Sequence, residues 1–266
     1  MEVVGYIGAL AMGLSLGLIG GGGSILTVPI LVYLFQVDTV LATAYSLFIV
    51  GATSIIGAIS HSRLGNVRWT TALAFGIPSI IAVYTSRRLL VPTLPDPLFT
   101  VGGVVVSKSL GILMLFALLM LAASFSMIRG RKDLPGTDHP HRINYPLLLI
   151  AGAMEGTLTG LVGAGGGFLI IPALVILANI PMKQAVGTSL LIIAVKSLIG
   201  FTGDLGSGAH IDWPFLFTYA AIAMVGIVVG SFLGHRISNE KLRPAFGWFV
   251  LVMGVSIIVR ELSGLN

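Results

Sequence analysis

Hydrophobic residues run along this chain in ten blocks, separated by short polar or glycine-rich stretches. Five lie in the first half, at about residues 3–19, 24–35, 39–60, 69–91 and 107–128. Five lie in the second, at about 144–162, 167–178, 183–202, 213–235 and 243–260. Most come close to or exceed the roughly 20 residues that a helix needs to cross about 30 Å of hydrocarbon. The second block of each five is the exception, because its twelve residues rise only about 18 Å as a helix. The pattern predicts, in each half, a helix broken at glycines or a re-entrant hairpin, then three spanning helices. Irregular backbone at that depth must be enclosed by protein or line a watery cavity.

The two breaks are alike. Gly20-Gly21-Gly22-Gly23-Ser24 precedes the first short block, and Gly163-Ala164-Gly165-Gly166-Gly167 precedes the second. Aligned without gaps at a spacing of 143, Gly13 to Leu31 and Gly156 to Leu174 agree at nine of nineteen positions, where composition alone would give about two. The likeness continues from Ala42, Ser46, Leu47, Ile49 and Gly57 to Ala185, Ser189, Leu190, Ile192 and Gly200. The expected architecture is all-α and polytopic, with a first membrane repeat over 1–130, a linker over 131–143 and a second repeat over 144–266. An odd number of crossings per half inverts the second repeat, which brings the two glycine tips together near the bilayer midplane. Leu89 to Val106 has no counterpart of equal length, and Pro92, Pro95 and Pro97 mark it as an outer loop.

Composition agrees with a membrane solvent. The chain is 56% hydrophobic and 9% charged, with mean hydropathy +1.02, whereas soluble domains carry about 25% charged residues. Its net charge of +5 sits mainly in short loops, so it reads as an orientation signal and not as a nucleic-acid footprint. Placing Arg129 to Arg142 in the cytoplasm puts ten basic residues inside and four outside, with both termini outside. Val3 to Ile19 lacks the basic flank and small-residue cleavage site of a signal peptide and is read as part of the mature protein. With no cysteine, disulfides, thiolate metal sites and iron–sulfur clusters are excluded.

The chemistry expected at the tips is anion binding. Backbone N–H groups at a helix start have no intrahelical acceptor, and the helix dipole adds about half a positive charge there. Glycine lets an oxyanion approach the main chain without meeting a Cβ. The competing reading of such runs is close helix packing by small residues. Glu155 and Lys196 are the ionisable residues deep within apolar blocks, about 15 Å and 20 Å along their helices. Intramembrane charge is costly, which makes both functional candidates. Lys196 would add positive charge to a bound anion and Glu155 would carry a coupling proton; alternatively the two pair and only fix the packing. Ser46, Thr188 and Ser189 either donate to the anion or bond back to their own helices.

Other patterns carry less. Gly13-Leu14-Ser15-Leu16-Gly17 fits a nucleophile elbow but lies in an apolar helix with no base beside it. His139-Pro140-His141 has no third metal ligand nearby, and no glycine run is followed by the Lys-Ser/Thr of a phosphate-binding loop. Neither a metal nor a cofactor is expected, and no enzymatic activity.

The doubled glycine tips with Pro29 and Pro172, the Ala185-Val186-Gly187-Thr188-Ser189 lead-in, and the Gly65-Asn66-Val67-Arg68-Trp69 and His210-Ile211-Asp212-Trp213 turns resemble the TauE/SafE sulfite exporter family, also called the toluenesulfonate uptake permeases. The resemblance covers nearly the whole chain, with Ala164 and Tyr45 interrupting the repeat. It implies an inner-membrane secondary transporter of sulfite, thiosulfate or a small organosulfonate, mostly exporting, with the glycine tips at the substrate. A channel-like anion pore and a membrane scaffold subunit of a sulfur-metabolising system are the alternatives.

Overall fold

The computed structural model describes residues 2–101, 104–129, 144–206, 210–234 and 239–263. The inter-repeat linker, with His139 and His141, lies outside the described residues. The chain runs as α1 (Glu2–Ile19), a 3-10 turn (Gly21–Leu26) leading into α2 (Thr27–Tyr33), α3 (Thr39–Arg63) and α4 (Trp69–Thr85). A π turn (Ser86–Leu90) carries α4 into the one-turn α5 (Val91–Thr93), and a hairpin of β1 (Phe99–Val101) and β2 (Val104–Val106) follows. Then come α6 (Lys108–Ile128), α7 (Tyr145–Val162), α8 (Gly167–Leu177), α9 (Met182–Asp204), α10 (Trp213–Gly234) and α11 (Asn239–Ser263).

Local chemistry sets these limits. Asp38 caps α3 by accepting from the Val40 and Leu41 N–H groups at 2.9 and 3.2 Å, and Ser107 and Asn144 cap α6 and α7 in the same way. One expectation is corrected between the fourth and fifth segments. The helix does not stop near Leu89, because the π turn carries it on through Pro92 to Thr93. The β-branched run Thr100-Val101 and Val104-Val105-Val106 then pairs antiparallel, Phe99 opposite Val106, where a plain loop was expected.

Seven helices among the described residues are long and apolar enough to span a bilayer, which makes this an all-α, multi-pass membrane protein. Their outer faces are apolar: Leu73, Ile77 and Ile81 on α4, and Val252, Val255 and Val259 on α11, are all exposed at helical spacing. Water would penalise such stripes, whereas lipid accepts them. α3 and α9 form the centre, 72% and 67% buried over their spans against 44% or less for the others.

Close packing crosses between the halves. α1 lies along α10, α4 along α7, and α3 along α9. At the first two seams glycines place backbone against backbone. A Cβ on Gly13 or Gly17 would overlap the Ala223 or Ile227 carbonyl, and one on Gly152 or Gly156 would overlap that of Phe75 or Ser79. This is the small-residue packing of membrane helices, where dispersion and not water drives association. Gly156→Ala is therefore expected to destabilise the protein by about 1–3 kcal/mol through overpacking. Gly76 on the same helix pair, whose Cβ would meet nothing nearer than 3.6 Å, is the control: Gly76→Ala should be neutral or stabilising by up to about 1 kcal/mol. Unfolding of both variants in detergent measures the difference.

Candidate functional site

The two glycine elbows touch. A Cβ on Gly21 would overlap the Cα of Gly167, and a Cβ on Gly167 would overlap Gly21 in return. Both elbows are buried throughout, Ala164 included. They are built differently. At the second, Gly163, Gly165 and Gly166 take φ of +71°, +66° and +69°, a conformation that side chains resist, and α8 starts at Gly167 as expected. At the first only Gly20 is left-handed, with φ +78°. Gly21, Gly22 and Gly23 are themselves wound into the 3-10 turn, so the α-helix starts at Thr27, three residues later than the sequence suggests. Neither start is capped by a side chain.

Lys196 and Glu155 meet at the second elbow. The Lys196 ammonium, with no exposed surface, forms an ion pair with Glu155 Oε1 and donates to Thr159 Oγ1 at 3.1 Å. Thr159 donates to Glu155 Oε1 at 2.6 Å, and Ser79 to Oε2 at 2.8 Å. Gly166 closes the cluster: its Cβ would overlap Glu155 Oε1 and Thr159 Oγ1 and stand 2.7 Å from Lys196 Nζ. Four elements thus converge on one buried charge pair: α4, α7, α9 and the elbow. The aligned positions in the first half are Met12, Leu16 and Thr53. Thr53 bonds back to the Ile49 carbonyl at 2.6 Å, and Gly23, the counterpart of Gly166, packs on Leu16 and Ser15. Of the two elbows, the second carries the buried charges.

The hydroxyl candidates divide. Ser24 donates back to the Gly21 carbonyl and Ser189 to that of Val186, each at 2.8 Å, so both serve their own backbone. Ser46 Oγ is buried with no partner. So are Ser54 and Ser197, which sequence reasoning passed over although they occupy aligned positions of the repeat, on α3 and α9. Thr159 and Ser79 were also missed, since uncharged residues in an apolar helix give no signal of their own. Arg87 is one of the four basic residues that the charge count places outside, and Asp204 carries no signal in the sequence. In the structure Arg87 is fully buried and donates from Nε to Asp204 Oδ2 at 2.8 Å.

Thr188 has a different task. Its hydroxyl accepts the Arg68 backbone N–H at 3.0 Å, pinning the turn before α4 to the first turns of α9. The aligned residue, Tyr45, does the same at the start of α3: its hydroxyl lies 2.7 Å from the Asp212 N–H, in the turn before α10. Both donors immediately precede a tryptophan, Trp69 and Trp213. Tyr45, which interrupts the repeat as sequence, preserves it as a contact.

Broken helices meeting inside a lipid-facing bundle, with an intramembrane ion pair at their junction, define a polytopic membrane transporter. The model of the "Sulfite exporter TauE/SafE" family matches residues 6–257, and the chain belongs to that family. It is 30% identical over 262 residues to a "probable membrane transporter protein" of Xylella fastidiosa, covering 96% of this chain and 94% of that one. A "probable membrane transporter protein" of Methanocaldococcus jannaschii is 29% identical, with 91% and 86% covered. Another, from Bacillus subtilis, is 27% identical, with 86% of each chain covered. No solved structure matches.

Breaking the buried pair one-sidedly should be severe. Lys196→Met leaves Glu155 buried without its counter-ion and is expected to cost about 3–5 kcal/mol, whereas Lys196→Met with Glu155→Leu should recover most of the loss. Melting temperatures of the two variants in detergent check this; equal losses would mean that the pair contributes nothing as a pair.

Proposed function

We propose that this chain is a secondary transporter that moves a small sulfur oxyanion or sulfonate, such as sulfite, thiosulfate or an organosulfonate, by alternating access. The observation that carries the reading is the junction of the two elbows, with Lys196 at Gly166. The first turn of α8 aims N–H groups without intrahelical acceptors at that junction, and the dipole and the lysine add positive charge. The residues read as substrate-facing are Gly165, Gly166, Gly167 and Lys196 at the polar elbow, Gly20 to Gly23 across from it, and Ser46. In the empty carrier Glu155 occupies the lysine. An arriving anion takes over the ammonium, and the displaced carboxylate accepts a proton to stay neutral, which couples anion to proton. Glu155→Gln is therefore expected to flatten the pH dependence of transport.

The fold is read as two inverted repeats in a cell's inner membrane, with the linker cytoplasmic and both termini outside. The crosswise pairing of α1 with α10 and α7 with α4 supports this, because each contact is the other's image under exchange of halves. The same exchange relates the Arg68–Thr188 and Asp212–Tyr45 bonds, which under inversion lie at opposite faces and act as the two gates. Both bonds are formed, and on this reading they close the site from either face. The outward direction follows the family description.

Two experiments test the reading. Purified protein in proteoliposomes should take up sulfite, thiosulfate, sulfoacetate or taurine above empty controls, with saturation and counterflow. Saturable uptake of none of them sinks it, and flux without counterflow indicates a pore. Because the chain has no cysteine, a single Ser46→Cys reports access to the chamber. Added Thr188→Val should raise its labelling by an impermeant thiol reagent from the Arg68 face, and Tyr45→Phe from the opposite face. Labelling from the same face in both would rule out paired gates.

A further inference from the structure

Arg87 holds more donors than its partners use. Its guanidinium is fully buried. Nε donates to Asp204, and Nη1 donates to Thr43 Oγ1 at 2.9 Å and to the Gly160 carbonyl at 3.1 Å. Nη2 has no partner at all. A guanidinium carries five N–H donors in a planar fork, so two of them point at nothing. Leaving a buried charged group unsatisfied is costly, and such groups call for an explanation. An arginine present for stability alone would close its fork on the carboxylate through two parallel bonds; here only Nε is engaged by Asp204.

The position is not dictated by the duplicated scaffold. At the repeat spacing Asp204 aligns with His61 and Arg87 with Gly230, so this pair of residues is not repeated in the sequence. Arg87 also sits in the π turn that extends α4, a distortion found often at functional sites, while α10 is an unbroken α-helix. Yet Arg87 grips the same elbow as Lys196 from another side. Gly160 belongs to the last turns of α7, and Thr43 is the residue whose backbone a Cβ on Gly163 would overlap. Along α9, Asp204 lies eight residues beyond Lys196, about 12 Å nearer the helix end.

We infer that Arg87 is a second anion-binding station of the transporter, taking the same class of ligand, a tetrahedral or pyramidal sulfur oxyanion, between the Lys196 site and the membrane face at the end of α9. The oxyanion bonds Nη2 and, as Asp204 swings away, the Nε edge. Asp204 is a competing internal anion that keeps the stay short, since conduction needs sites weak enough to release. This rests on the anion-transport reading above.

The test is thiosulfate titration of the full-length protein in detergent by calorimetry, with monodispersity checked by gel filtration. The wild type is expected to show two sites. The neutral exchange Arg87→Met with Asp204→Leu, which replaces a buried ion pair with apolar bulk and should leave the fold intact, is expected to delete one site and keep the other. Lys196→Met with Glu155→Leu should delete the complementary one. Asp204→Asn, which removes the competitor, should tighten the Arg87 site about tenfold. If the Arg87/Asp204 exchange leaves the wild-type isotherm unchanged while the Lys196/Glu155 exchange abolishes binding, the second station is overturned and the transport reading stands. If the wild type binds none of sulfite, thiosulfate or sulfoacetate, the transport reading falls and takes the station with it.

Discussion

The contact between Gly21 and Gly167 governs the rest of the molecule. Two interrupted helices can abut inside a bundle only if neither presents a Cβ at the point of contact, and both residues there lack one. That approach fixes where α1 and α7 end, why the segments after them are short, and why three left-handed glycines crowd into the second elbow. It also buries backbone that no regular ladder serves, in a solvent that offers no water to serve it. Such a junction is tolerable where something else supplies the missing partners, which makes it a natural place for a polar guest.

The scaffold around the junction is symmetric and its charge is not. Helix seams, serines at positions 54 and 197, and the two turn-pinning hydroxyls all recur under exchange of halves. Glu155, Thr159, Lys196, Arg87 and Asp204 do not recur. The halves share their seams and turn contacts, while the Glu155–Lys196 pair belongs to the second alone. Met12, Leu16 and Thr53 stand uncharged at the matching places of the first.

Much of this was legible in the sequence. Block lengths located the helices to within a few residues, since hydrocarbon thickness fixes span length directly, and the matched glycine runs located both breaks. Depth singled out Lys196 and Glu155, and their pairing is what a low-dielectric interior demands of two opposite charges. What escaped has a common cause. Arg87 stands beside Arg88 near the end of a hydrophobic block, where a charge normally reaches the headgroups; only the π turn shows that one arginine points inward while the helix continues. Ser79 and Thr159 are ordinary in sequence and gain meaning only from Glu155 beside them. The late start of the first α-helix, and the hairpin between α5 and α6, depend on tertiary packing that periodicity does not encode.

The glycine seams have a consequence for how such a chain comes into being. α1 emerges from the ribosome well before α10, whose surface it is cut to fit and which lies more than two hundred residues behind it. Until that late helix arrives, the notched face of α1 has only lipid chains to fill it. Biogenesis therefore cannot proceed by finishing one half and then the other; α1 must wait in the bilayer, loosely held, until α10 arrives.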